Sequence, residues 1–386
     1  MSISQNFPNT RPSLSLNFAR SQTLDPRITF TRTTSGTRVG PDGYIEVIPA
    51  DQPRFDFDPV TGECLGLLVE EERTNLITIT TNNENGLPIT DFNYPMSGFD
   101  ENNTELDIAP DGNLVLCKYD LAGTNGPFLS ITSTASITAG VTYTMSMWVK
   151  GGSSYSASFA WVNQTTNEVP NTTISITPEW RRYTFSFTPQ FNSTSSRLQI
   201  FFSTQGNDKI ISVWGAQLEQ GSFATSYIPR PSGQATRTAD NVSMVGENFS
   251  SWYNQSEGSV YCAFKLNSTA TARVFNIDDG TNTNRISGLV GSSLYQTFIN
   301  PAAAGPTASF SNIFDFKIAS GHQDNNIQVY VNSIYQNSNT SITIPKNLNT
   351  FRIGNWHNGT FQGTTISQLT YYPRRLTNSQ LQNLTK

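Results

Sequence analysis

Residues 141–150, VTYTMSMWVK, carry a two-residue period. Tyr143, Met145, Met147 and Val149 fall on one face of an extended chain, and Thr142, Thr144, Ser146 and Trp148 on the other, as in a half-buried strand. The same alternation recurs at Tyr183, Phe185 and Phe187, and at Leu198, Ile200 and Phe202. Clusters of Gly, Pro, Asn and Thr separate these runs, and a helical period is nearly absent. An antiparallel β-sandwich is therefore predicted over residues 76–232. Its last strand places Trp214, Ala216 and Leu218 on one face and is broken by Gly221. Pro229 and Pro231 end it, because proline has no N–H to give to a ladder.

Beyond a polar linker at 230–240 the alternation starts afresh. In GSVYCAFKL (258–266), Val260, Cys262, Phe264 and Leu266 point inward. In IQVYVNSIYQ (327–336), Asn332 and Ser333 between two alternating runs read as a two-residue hairpin turn. The tail LTNSQLQNLT (376–385) pairs Thr377 with Gln380 as a capping box and sets Leu381 and Leu384 on one face of a short helix. Residues 233–386 thus form a second sandwich closed by one short C-terminal helix. Upstream, RITFTR (27–32), the turn GPDGY (40–44), PRFDFDP (53–59) and GLLVEEERTNL (66–76) alternate short apolar pieces with turn signals. Residues 1–75 therefore read as an extended segment without a large core of its own, in need of something to lie against. The fold class expected is all-β.

Only 14% of the 386 residues are charged and 36% are hydrophobic, the latter dispersed in strand-sized pieces, which excludes disorder and favours a polar, surface-displayed β protein. The net charge of −5, without any Lys/Arg run, argues against nucleic acid as a ligand. The start MSISQNFPNTRPSLSLNF lacks a basic stretch followed by an apolar core, and no run approaches eighteen apolar residues, so neither a secretory leader nor a membrane span is expected. Cys64, Cys117 and Cys262 are too few and too scattered for a disulfide framework, and Cys262 reads as a buried free thiol. Synthesis in a reducing cytoplasm combined with a surface-exposed composition suits a virus structural protein.

Six phrases support that view: FTRTTSGTRVGPDGYI (30–45), PRFDFDPVTGECLGLLVEEERTNL (53–76), WGAQLEQGSFATSYIPR (214–230), ATRTADNVSM (235–244), NFSSWYNQSEGSVYCAF (248–264) and YYPRRLTNSQLQNLT (371–385). In this order, over nearly the whole chain, they resemble the signature phrases of tailed-bacteriophage virion proteins, namely tail fibres, tail spikes and head fibres. The resemblance implies a carbohydrate-binding-module-like jelly roll followed by a concanavalin A-like domain of the laminin G type. It further implies a virion protein assembled in the host cytoplasm and exposed on the particle. Residues 1–75 would dock to other virion proteins, the chain would be a homo-oligomer, commonly a trimer, and the sandwiches would meet a host cell-surface glycan. A purely structural decoration or adaptor protein is the alternative reading, and a polysaccharide depolymerase a third.

Catalysis finds little support in the residues. Asp56 and Asp58 lie two apart on one strand, about 6 to 7 Å from each other, near the lower edge of the inverting-glycosidase spacing. Paired acids at a strand edge also guard against aggregation. Glu70, Glu71 and Glu72 read as a solvated or docking charge cluster. The E-x-D-x-x-E strand of concanavalin A-like glucanases is approached only at Glu105 and Asp107, where Pro110 stands in place of the second acid, within the loop-like DENNTELDIAPDG. His322 and His357, the two histidines, have no serine elbow or metal-ligand spacing around them. No catalytic residue is therefore assigned.

Sugar binding needs an aromatic face and planar polar partners. Asn355, Trp356, His357 and Asn358 in IGNWHNGTF supply these in one loop after a strand ending at Ile353, although such a tryptophan is more often a lid on its own core. Trp161 with Asn163 and Gln164 is the corresponding candidate in the first sandwich. Trp148, on the polar face of its strand, is expected to pack on a neighbouring subunit, while Trp214 and Trp252 read as structural. Calcium is the one cofactor considered, with Asp278, Asp279 and Asp324 as oxygen ligands, against the alternative that these are ordinary turns.

Overall fold

The computed structural model describes residues 8–78, 105–121, 128–202, 209–230, 233–266, 272–291, 294–299, 304–309, 315–356 and 363–386. The chain divides into two compact units, one drawn from residues 1–43, 47–72 and 238–386, the other from 44–46 and 73–237. Each is built of antiparallel β-sheets.

In the second unit, a five-stranded sheet runs in the order Arg181–Phe187, Tyr143–Gly151, Lys209–Gln220, Leu114–Leu121, Glu105–Ile108. A four-stranded sheet runs Phe128–Ser133, Ser196–Phe201, Tyr155–Asn163, Asn171–Ile176. The period at 141–150 does what it promised: Tyr143, Met145, Met147 and Val149 join Phe159, Leu198, Ile200 and Leu218 in one core. The strand ending at Gln220 departs from strict alternation. Ala216 and Leu218 face that core, but a register shift opposite Ser146 and Trp148 turns Trp214 to the other face. Gly215 makes the shift possible with φ of +65°, and a Cβ there would stand 3.0 Å from the Trp148 ring. Trp148 consequently packs within its own chain, its ring centroid 5.3 Å from that of Trp214 and 6.0 Å from that of Tyr227. The segment at Glu105–Ile108, expected as loop, is an edge strand paired with Leu114–Leu121.

The first unit is the larger sandwich. One sheet is ordered Ile334–Asn339, Ile327–Val331, Phe316–Gln323, Glu257–Leu266, Thr364–Tyr372, Cys64–Val69, Arg54–Phe57, with Leu14–Asn17 also paired to Thr364–Tyr372. The other is ordered Thr29–Thr31, Asn241–Val245, Thr350–Ile353, Ala272–Asp278, Arg285–Gly291, Leu294–Ile299, Ala304–Ser309. The described residues of 1–75 are thus not an extended segment apart from the sandwiches. What they lie against is the C-terminal half of their own chain, because Leu14, Leu16, Phe18, Phe55, Phe57, Leu67 and Val69 share a core with Val260, Cys262, Phe264 and Leu369. Gly66 meets the carbonyl of Ile366 so closely that any side chain there would overlap backbone.

Local signals held where they were self-contained. Asn332 and Ser333 have φ of 45° and 67°, the double left-handed turn of a two-residue hairpin. Thr377 and Gln380 form a reciprocal capping box on the helix Asn378–Leu384. Trp252 sits in the larger core against Phe249, Phe351 and Tyr371, and Cys262 is a fully buried free thiol.

Charge is buried too. Asp240 accepts from Arg32 Nη1 at 2.9 Å and from Arg54 Nη2, while Arg54 Nη1 reaches Glu70 Oε2 at 2.8 Å, all with side-chain exposure of 2% or less. Glu70 is therefore an internal ion-pair partner and not part of a solvated run, as expected of 70–72; within that run only Glu72 is exposed.

Candidate functional site

The acids weighed for catalysis are separated by their surroundings. Asp56 accepts the Val39 N–H at 2.8 Å; burial raises its carboxyl to about 6, against that hydrogen bond. Asp58 instead caps a turn, accepting the Val60 and Thr61 N–H groups at 2.9 Å each, which hold it below the usual carboxylate range. A register shift separates the two along the strand, so they do not face one substrate position. His322 is wholly buried, and burial, with Arg375 and Lys346 adding to it, pushes its pKa down to about 3. A neutral histidine without solvent access performs no general base chemistry here.

The calcium candidates are occupied by donors. Asp278 accepts from Arg352 Nε at 3.0 Å, from the Gly280 N–H at 2.8 Å and from the Asn276 amide. Asp279 accepts from Thr281 and Asn284, and Asp324 from the Ile344 N–H and Lys346 Nζ. A cation would have to displace these hydrogen bonds, and among the described residues no three His, Cys, Asp or Glu side chains converge. These carboxylates serve turns and ladders.

Trp161 requires a correction. It has 0% exposure and stacks on Phe187 with centroids 4.9 Å apart, so it offers no face to a ligand. Its strand Tyr155–Asn163 presents residues 157, 159 and 161 inward, and an indole on that side fills the core. Asn163 is also fully buried; its Oδ1 accepts the Thr165 N–H at 3.0 Å and its Nδ2 donates to the Asn192 carbonyl at 3.2 Å, which fixes a turn.

In that same unit an aromatic side chain with polar company that sequence reading passed over is Trp180. It is half-buried, with its Nε1–H donated to the Ile108 carbonyl at 3.0 Å and Lys150 Nζ 5.6 Å from the ring centroid. Lys150 pairs with Asp107 at 2.9 Å, and the Ser212 hydroxyl donates to the same carboxylate at 2.7 Å. These hydrogen bonds outweigh burial and hold Asp107 below the usual carboxylate range. An indole edge, an ammonium and a carboxylate thus lie within one patch. The signal available in the sequence was a tryptophan in a polar turn, TPEW, just before a strand.

The loop after Thr350–Ile353 is shaped by Gly354, whose φ is +68° and whose Cβ, if present, would lie 2.8 Å from Val69. The turn sends Asn355 inward, to 1% exposure and a 3.4 Å hydrogen bond with the Asp240 carbonyl, so it is not a solvent-facing sugar ligand. Trp356 remains half-buried, with the Arg273 guanidinium 3.9 Å from its ring centroid and that of Arg285 5.0 Å away. His357 and Asn358 lie outside the described residues. The two arginines come from adjacent strands, Ala272–Asp278 and Arg285–Gly291, and a register shift between Arg273 and Phe275 commits Val274 and Phe275 to the core. Arg273 then shares the opposite face with Ser287, to whose hydroxyl its Nη1 donates at 3.3 Å.

Residues 98–209 match the family model described as a carbohydrate binding domain. The comparison with curated proteins finds no match. Among solved structures the chain is similar to the CBM40 of the Ruminococcus gnavus IT-sialidase bound to alpha2,3 sialyllactose, at 12% identity over 34% of this chain and 83% of that one, with a TM-score of 0.30. It is similar also to Trypanosoma rangeli sialidase, at 16% identity over 38% of this chain and 25% of that one, TM-score 0.32. A leech intramolecular trans-sialidase shows 12% identity over 34% and 23%, TM-score 0.30. Superpositions this partial carry no weight for a ligand or an activity.

Proposed function

We propose that this protein binds carbohydrate through its second unit, with Trp180, Lys150 and Asp107 as the contact patch. The observation that carries the reading is the match of residues 98–209 to a carbohydrate binding domain, a span that contains all three side chains. A half-buried indole beside an ion pair suits a pyranose, whose apolar face packs on the ring while its hydroxyls bond the charged groups. The test is binding of the whole chain to immobilised neutral and acidic polysaccharides. Trp180→Ala should weaken binding at least tenfold with an unchanged circular dichroism spectrum. Full binding by that variant removes the patch from consideration.

The resemblance of the six phrases to tailed-phage virion proteins supports placing this binding on a phage particle, as an oligomeric fibre or spike that meets a host-surface glycan. Labelling of particles by an antibody against the chain tests that location, and unlabelled particles from a producing host would sink it.

A further inference from the structure

The first unit contains a cleft of about 520 Å³, bordered by residues 15–18, 20, 21 and 23–26 and within the size range of small-molecule sites. One short stretch of chain builds it. Leu14–Asn17 is held in register on Thr364–Tyr372, and a single helical turn, Phe18–Ser21, follows. Gln22, with φ of +50°, caps that turn in the left-handed region and sends the chain back, so that residues 23–26 border the same cleft as residues 15–18. Leu16 and Phe18 are buried in the larger core and Leu24 packs against it, which anchors the cleft at its base.

Two charged side chains border the cleft, and they stand differently. Asp25 is answered by Arg27, whose Nε and Nη2 reach its two oxygens at 2.9 and 2.8 Å. Those hydrogen bonds outweigh burial and hold its carboxyl below the usual carboxylate range. Arg20 is exposed, and its guanidinium enters no hydrogen bond, ion pair or ring contact among the described residues; only its backbone N–H is engaged, by Asn17. The hydroxyls of Ser15 and Thr23, also exposed, have no partner among the described residues either. The cleft therefore combines one unanswered cation and two hydroxyls with an apolar lining.

We infer that this cleft binds a small organic phosphate, with the phosphate oxygens on Arg20, Ser15 and Thr23 and the carbon skeleton against Leu16 and Leu24. A guanidinium fork bonds two oxygens of a tetrahedral phosphate in parallel and leaves a further oxygen to accept from hydroxyls. An exposed guanidinium gains little from a lone ion in water, so the apolar lining is what favours an ester over inorganic phosphate. The inference does not depend on the carbohydrate reading, whose residues belong to the other unit.

Calorimetry on the whole chain tests this with glycerol 3-phosphate, glucose 6-phosphate and phenyl phosphate, each beside its parent alcohol or phenol, and with inorganic phosphate. At least one ester should bind at least tenfold more tightly than both its parent and inorganic phosphate, weaken as salt rises, and lose at least tenfold in affinity in Arg20→Gln. No binding by any ester, binding no tighter than that of inorganic phosphate, or full binding by Arg20→Gln overturns the inference. Ester binding that is kept in Arg20→Gln and lost in Trp180→Ala overturns it as well, by placing the ester on the other unit. Because the ester and parent comparison uses the unaltered chain, it stands even if a variant misfolds.

Discussion

The first unit contains two gatherings of arginine that differ in one respect. Arg32 and Arg54 are as buried as a leucine in the core, yet each is paired with a carboxylate, and Asp240 serves both. Burial draws the Arg54 pKa down, but Asp240 and Glu70 more than offset it and the group ends above the ordinary arginine value. Arg273 and Arg285 are less deeply placed and both lie within 5.0 Å of the Trp356 ring centroid, and burial with Arg285 depresses Arg273 where the paired set raises Arg54. The same side chain is a strut where two carboxylates answer its charge, and has that charge disfavoured where burial and a second guanidinium surround it. Depth alone does not tell the two apart; charge balance does.

The strongest way to break this contrast is Asp240→Asn. It removes the negative charge that answers both Arg32 and Arg54, and leaves one acceptor oxygen where two now receive these arginines and the Glu70 N–H. Breaking a buried pair on one side costs roughly 3 to 5 kcal/mol, and urea unfolding should register a loss of that order. A variant within 1 kcal/mol or so of the parent would mean that the network is not the strut described.

How much of this was legible beforehand follows from how far each cause lies from its effect along the chain. The alternation of 141–150, the hairpin at Asn332 and Ser333, and the capping box of Thr377 are local, and the structure keeps them. The buried charges are not local: Arg32 and Arg54 reach Asp240 across 208 and 186 residues, so a sequence reader sees Glu70 only as one of three adjacent acids. Residues 14–69 declared their apolar period but not the sheet that receives it. Trp356 was visible because tryptophan in a polar loop is conspicuous, whereas Arg273 and Arg285 looked like ordinary strand residues until the register shift placed them over its ring. Trp161 failed for the converse reason: in that strand nothing but the facing sheet decides which side is inside.

An effect of intermediate size concerns pH. His322 is depressed to about 3, so the stability it contributes is complete above its ordinary value of 6.5 and is lost as pH falls toward the folded value. Asp56 is raised from 3.8 to about 6, so its contribution is complete below 3.8 and is lost as pH rises through 6. Between about pH 4 and 6 the two slopes oppose each other, and the parent protein should show a flat melting temperature there. Asp56→Asn, which keeps an acceptor for the Val39 N–H, should uncover a fall of up to about 1.4 kcal/mol per pH unit from the histidine. A flat profile in that variant would show that His322 takes up its proton without unfolding.

The smallest expected change sharpens the opening contrast most. Arg273→Met keeps a long apolar stem against Trp356 and Ser287 while deleting a charge that burial and Arg285 already disfavour. What is given up is one cation–π contact and one hydrogen bond to a hydroxyl, each worth about 1 kcal/mol or less. What is relieved is the repulsion between two guanidiniums. The net should fall within about 1 kcal/mol of the parent, on either side. Arg54→Met, by contrast, leaves Asp240 and Glu70 buried with one cation fewer, and should lose several kcal/mol, on the order of the Asp240→Asn change. Equal losses in the two methionine variants would mean that Arg273 is as much a part of the framework as Arg54.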